Sequence, residues 1–417
     1  MTNTSSGIQE RTSIAARALA HKGFRGVQEM TRTLAKYDGD TVGSLEVWPP
    51  AATSRELGEL VSRLRWFLPD DLPIDIPILD PNLLPAAVDA LGELETAIPD
   101  NVNLIPPGAA RPIRDVILVW KNARRSVLDR RTLGSIPRVV IGDPQYFSLT
   151  EIGAYLELSR ATVPTAVLQQ YDETSTQAFD QFMATLDGVE RVLVYGTGPS
   201  MTDILPGAVD ADLVIACNSA VRDPAWISAI RPSLIAFADP VFHFGPSRYA
   251  AQFRADLLDA MDASGAYAVT TDRYLPLIHR HMPEIVERTI ALTPTISDSL
   301  TIPSPKDPRV ATTPNILTLL MLPMAGAAGS QVLIAGCDGR APQESYFWKH
   351  SAEGQYADQL MATVQATHPS FFRDRVYVDY YDEHCRTVEK QAHALEQRGV
   401  GVACVTPSLI PALRLRM

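Results

Sequence analysis

From about residue 190 onward, short continuous apolar runs alternate with stretches of helical period. Runs at Val192–Tyr195, Leu213–Cys217, Leu234–Ala238, Ala266–Val269, Thr289–Leu292, Val332–Ala335, Arg375–Tyr377 and Val402–Val405 read as strands. A strand that is apolar at nearly every position is buried on both faces, so helices must cover both sides of a parallel sheet. Residues 190–417 are therefore expected to form an α/β, Rossmann-like domain with a mostly parallel sheet. Ligands of such sheets lie beyond the carboxyl ends of the strands.

The pattern upstream is different. Ile14, Ala18, Leu19, Val27, Met30 and Leu34 follow a loose helical period within 1–45. Prolines then crowd in from Pro49 to Pro107, with helical patterns near 54–67, 82–97 and 113–128. This predicts a largely helical N-terminal region over 1–136, suited to interaction or acceptor binding. A strand at Arg138–Gly142 and helices near 149–160 and 173–187 would complete a connecting α/β segment over 137–189.

Composition narrows the function classes. The 417 residues carry a formal net charge of −11, which speaks against a general nucleic-acid binder with its basic footprint. No run reaches the ~18 apolar residues of a spanning helix. The N-terminus lacks the apolar stretch of a secretion signal. Cys217, Cys337, Cys385 and Cys404 form no CxxC pair, and buried free thiols in a reducing cytosol are expected. The location expected is cytoplasmic. One basic segment, 121–131, holds Lys121, Arg124, Arg125, Arg130 and Arg131. Its plain reading is a solvated helix face. Its sharper reading is a surface for acidic lipid headgroups or an anionic acceptor, peripheral at the inner face of a membrane. A homo-oligomer is compatible with all of this.

Several strand ends carry candidate chemistry. Gly196, Thr197, Gly198, Pro199 and Ser200 follow the first strand. Glycines permit a tight turn, and Pro199 suits a first helical turn. Such a helix start would offer free N–H groups to a phosphate. Asn218 ends the next strand and is either a turn former or a nucleotide contact. Asp239 and Asp338 end further strands, where a carboxylate can face a sugar hydroxyl or cap a loop. Thr312 or Thr313, followed by Pro314 and Asn315, reads as a helix start. Tyr346 lies in an aromatic loop. Tyr381 and His384 lead into a helix, and the imidazole is the residue type that serves most readily as a general base near neutrality. Ser408 lies in the closing Pro-Ser-Leu. Asp210 and Asp212 have the spacing of a metal pair but precede a strand, and read as surface; no metal site and no cofactor are expected.

The ordered set resembles the bacterial sialyltransferases of glycosyltransferase family 42. It is also similar to the related domain of flagellin glycosyltransferases and the pterin pyrophosphokinase-like group, over about residues 190–412. The resemblance implies an inverting, metal-independent enzyme moving a nonulosonate-type sugar (sialic acid, Kdo or similar) from its CMP ester to a glycan or glycolipid hydroxyl. By the same resemblance, Gly198, Pro199, Ser200 and Asn218 would hold the nucleotide. Thr312, Thr313 and Asn315 would contact the donor. Tyr346 and Tyr381 would stabilise the leaving phosphate, and His384 would be the base. Thr197 stands where the family has Asn, and Thr313-Pro314-Asn315 where it has Thr-Ser-Gly. Two other readings stay open: an ATP- and Mg²⁺-dependent pterin pyrophosphokinase-like enzyme with Asp239 and Asp338 as metal ligands, and a non-catalytic protein of a surface-polysaccharide pathway.

Overall fold

A computed structural model describes residues 41–88, 98–110, 114–122, 138–144, 148–204, 207–297, 299–340, 358–369 and 377–417. The chain divides into two compact units, the first mainly up to Thr165 with His368–Arg375, the second mainly Ala166–Thr367 and Val376–Met417. The expected connecting segment 137–189 is thus shared between them, its strand and first helix falling in the first unit.

The region expected to be largely helical carries a parallel sheet among its described residues. Its strands are β1 (Leu45–Trp48), β2 (Ile74–Pro77), β3 (Val102–Ile105), β4 (Val116–Val119) and β5 (Arg138–Ile141), in the order β3-β2-β1-β4-β5. The pattern near 113–128 predicts a helix, but β4 crosses it. Its four residues are all buried, and a short run that is apolar throughout has no period to separate strand from helix. The helix expected over 54–67 forms as Ser54–Phe67, capped by the Thr53 hydroxyl on the Glu56 amide. Residues 82–88 are not helical. The remainder of that pattern (89–97) and residues 1–40 lie outside the described residues, as do 123–131 of the basic segment. Lys121 at its start is paired with Glu56 at 2.6 Å. Asp75, buried on β2, is held by a two-pronged bond from Arg114 at 2.6 and 2.8 Å.

The second unit is the Rossmann-like α/β domain. Its strands are β6 (Arg191–Tyr195), β7 (Leu213–Cys217), β8 (Leu234–Ala236), β9 (Tyr267–Thr271), β10 (Thr289–Thr295), β11 (Arg309–Ala311), β12 (Gln331–Ala335) and β13 (Gly401–Cys404). They lie in the order β11-β10-β9-β8-β7-β6-β12-β13, and every neighbouring pair is parallel. Val192, Val194, Ile215, Leu234, Val332 and Ile334 are fully buried and share one core with Phe179 and Phe182 from the helix Thr165–Ala184. Burial of each such side chain stabilises by roughly 1.5–3 kcal/mol. The covering helices obey local rules. In Arg248–Ser264 the Ser247 hydroxyl accepts from the Ala250 amide, and Gly265 closes the helix at φ 72°.

One expected strand fails. Tyr377 opens a helix, Tyr377–Gln397, rather than closing a strand, and 375–376 lie outside the described residues. Val376, Tyr377 and Val378 suit a strand by propensity, but packing of the amphipathic helix overrides it. Strands β6 to β11 grow away from β6 on one side, while β12 and β13 return to its other side. The reversal lies between β6 and β12, and this is where a doubly wound sheet opens a crevice for a ligand.

Candidate functional site

Two loops leave the sheet at that reversal, 196–200 after β6 and 336–340 after β12. They are joined backbone to backbone: the Gly198 amide donates to the Gly336 carbonyl at 2.8 Å. A Cβ on Gly198 would lie 2.6 Å from that carbonyl. Gly336 has φ +65°, and a Cβ there would lie 2.6 Å from the Gly196 carbonyl. Both distances are far inside van der Waals contact, so these glycines serve the meeting of two loops.

The expected phosphate seat at Pro199–Ser200 is already filled. The segment Pro199–Asp203 is a short 3-10 turn rather than an α-helix. The Ser200 amide donates to Asp338 at 3.1 Å, and its hydroxyl to the same carboxylate at 2.9 Å. A protein carboxylate thus holds the donors that the sequence would leave for a phosphate. Partial burial raises the Asp338 carboxyl above its ordinary range, while the two Ser200 bonds pull it down.

Beside these loops lies a cleft of about 490 Å³, its open mouth included. Gly196, Thr197, Gly198, Asn218, Asn315, Asp338, Tyr381 and His384 all line it, with Ile316, Leu317, Met321 and Ile410 as apolar wall. Eight of the residues singled out by sequence therefore meet in one place. Asn218 has φ 51°, a left-handed conformation that Asn tolerates better than most residues, and it starts a 3-10 turn. It is both turn former and cleft residue. Asn315, not Thr312 or Thr313, caps the helix start: its Oδ1 accepts from the Leu317 amide at 2.9 Å. The side-chain NH₂ of Asn315 is then a pure donor.

Tyr381 and His384 sit within the helix Tyr377–Gln397, three residues apart and so on one face. The phenol oxygen of Tyr381 accepts from the Arg340 amide at 3.2 Å, and the Arg340 guanidinium lies 5.1 Å from its ring centre. Burial pushes the phenol up to about 12, so it stays protonated. His384 is buried, and burial lowers its imidazole to about 4. It is neutral near pH 7, with the lone pair a base needs.

Other expected residues stand elsewhere. Asp239 is a loop organiser: its carboxylate accepts from the Val241 and Phe242 amides at 2.8 and 2.9 Å, and His243 Nδ1 accepts from its own amide at 3.0 Å. Thr312 bonds the Thr295 carbonyl, and Thr313 accepts from the Thr318 hydroxyl at 2.9 Å. Ser408 ties the Cys337 carbonyl to the Ile410 amide. Pro199 starts the 3-10 turn. Tyr346 lies outside the described residues. Asp210 and Asp212 bind Arg191 at the opposite end of β6 from the cleft. Sequence reasoning passed over Arg340, although it directly follows the run Gly-Cys-Asp-Gly after β12. The four cysteines are free thiols.

Burial also holds His243 at about 4, and His279 likewise. An unfolded histidine takes up its proton near 6.5, so between pH 6.5 and 4 the unfolded chain binds more protons. The stability these groups contribute is present above about 6.5 and is lost as pH falls through about 4. Urea midpoints are expected to fall steadily from pH 6.5 to 4.5, before most carboxylates titrate. A flat profile across that window would contradict the buried neutral imidazoles.

Among the described residues, no helix is long and apolar enough to cross a membrane, and no group of three or more His, Cys, Asp or Glu side chains is placed to hold a metal ion. The sequence matches no protein-family model and no curated protein.

Proposed function

We propose that the cleft binds a CMP-activated acidic sugar and that the protein transfers the sugar, with inversion, to a hydroxyl of a glycan or glycolipid. The observation that carries this reading is the convergence of Asn218, Asn315, Tyr381 and His384, far apart in sequence, on one cleft at the sheet reversal. In the reaction the acceptor oxygen forms a bond to the sugar carbon, and the bond from that carbon to the phosphate oxygen breaks. CMP leaves with the electron pair. Neutral His384 takes the acceptor proton, and the donor's negative charge beside it raises its basicity on binding. The protonated Tyr381 phenol and the Asn315 NH₂ supply hydrogen bonds to charge developing on the phosphate. Because Asp338 occupies Ser200, this reading assigns the phosphate to those side chains and not to the turn. The ATP- and Mg²⁺-dependent alternative called on Asp239 as a ligand, and that carboxylate is committed to its own loop.

A thermal-shift panel tests the reading. CMP at about 100-fold over its Kd, without added metal, is expected to raise the melting temperature by roughly 5–10 °C. Stabilisation by ATP with Mg²⁺ alone would favour the pyrophosphokinase-like reading. No response to either overturns both.

A further inference from the structure

The wall of the cleft that carries Asn315 and Leu317 is a π-turn, Leu317–Met321, whose closing bond runs from the Leu322 amide to the Leu317 carbonyl. Its cause is in the sequence. Pro323 has no N–H, and in a regular helix its ring would press on the Leu319 carbonyl four residues back. Widening the turn relieves that clash. It also leaves the Thr318 carbonyl without a helical donor, since the Leu322 amide is used by Leu317 and the next position is Pro323 itself. That carbonyl is buried with its residue.

The missing donor comes from another element. Gln391 Nε2 donates to the Thr318 carbonyl at 2.7 Å. Gln391 is seven residues beyond His384 on the helix Tyr377–Gln397, and so faces the same way. Thr318 in turn bonds the Asn315 carbonyl through its amide at 3.2 Å, while its hydroxyl donates to Thr313. One short path thus links the helix bearing Tyr381 and His384 to the turn bearing Asn315. The other end of the Gln391 side chain, Oε1, is buried without a hydrogen-bond partner among the described residues. A buried amide oxygen left unpaired is a burden that an apolar side chain of the same shape would not carry, so filling space is a poor account of a glutamine here.

We propose that Gln391 is a positioning residue: it replaces the backbone donor that Pro323 lacks, and so registers the His384 helix against the Asn315 turn across the cleft. This goes beyond the sugar-transfer reading and does not depend on which ligand the cleft takes.

A double-variant cycle on the full-length protein tests it without any ligand. Gln391→Met keeps the shape and removes the donor. Pro323→Ala restores an N–H that can serve Thr318 or let the turn rewind. Gln391→Met alone is expected to raise the unfolding constant about tenfold. It should also move the NMR titration of His384 upward from about 4 toward 6.5 as water enters beside it. In the Pro323→Ala background the same substitution should change the unfolding constant by less than about twofold. If Gln391→Met does not fold alone, recovery of folding in the double variant is the same rescue. Equal penalties in both backgrounds, or a His384 titration unmoved by Gln391→Met, overturn the proposal.

Discussion

Replacing His384 with alanine is expected to lower turnover of a CMP-sugar by at least ~100-fold while CMP binds within about twofold of its original affinity. The imidazole is the group in the cleft that is neutral near pH 7 and able to accept a proton: the Tyr381 phenol is held protonated, and Asp338 is engaged by Ser200. On the sugar-transfer reading, loss of the ring removes the proton acceptor from the transition state and takes little from the nucleotide, which other residues would hold. Steady-state kinetics with matched calorimetry of CMP binding separates the two effects. Wild-type-like turnover would remove His384 from the role of base. A parallel collapse of CMP affinity would point to damage of the cleft as a whole.

The second large effect concerns stability. Gly336→Ala is expected to cost about 2–5 kcal/mol, a substantial share of the ~5–15 kcal/mol that holds a typical domain together. Two terms add. A left-handed φ of +65° penalises any Cβ by about 1–2 kcal/mol. The new methyl also meets the Gly196 carbonyl at 2.6 Å and the Met201 Cβ at 2.9 Å. Neither obstacle is the end of a flexible side chain, so the loops must part, and overpacking of this kind adds about 1–3 kcal/mol. Urea unfolding of the variant reads the cost directly, and a loss under about 1 kcal/mol would show that the loops give way more easily than their bonding suggests. Gly188→Ala is the fitting control: it has φ +77° but open space around the added carbon, and so carries the conformational penalty alone.

The contrast between the two units explains what could be read in advance. Strands β6, β7, β12 and β13 announce themselves because Val192–Tyr195 and its counterparts are apolar runs between helical stretches. Strands β1 to β3 are four residues long, lie among prolines, and include Glu46, Asp75 and Asn103. Their polar members are accommodated by partners such as Arg114, which no local pattern reveals. The site was legible as a set of residue types at strand ends, and Asn218, Asn315, Tyr381 and His384 do gather. Their working geometry was not. That Ser200 is taken by Asp338, that Gly198 exists for the sake of Gly336, and that Asp239 is bound to its own loop are long-range facts about packing. The π-turn is an intermediate case: Pro323 is visible in the sequence as a break, while the glutamine that completes the broken ladder comes from a different helix.

The sheet order has a consequence for synthesis. Strand β6 is central in the finished sheet, flanked by β7 and β12. During translation β7 follows at once, but β12 emerges only after all the residues between Tyr195 and Gln331. At about 5–20 residues per second that interval is on the order of ten seconds. Throughout it, the apolar strand at the heart of the domain presents an open edge to the cell, the kind of edge that pairs with the wrong chain. Codon choice and chaperone access across 200–330 would thus bear on the yield of folded protein.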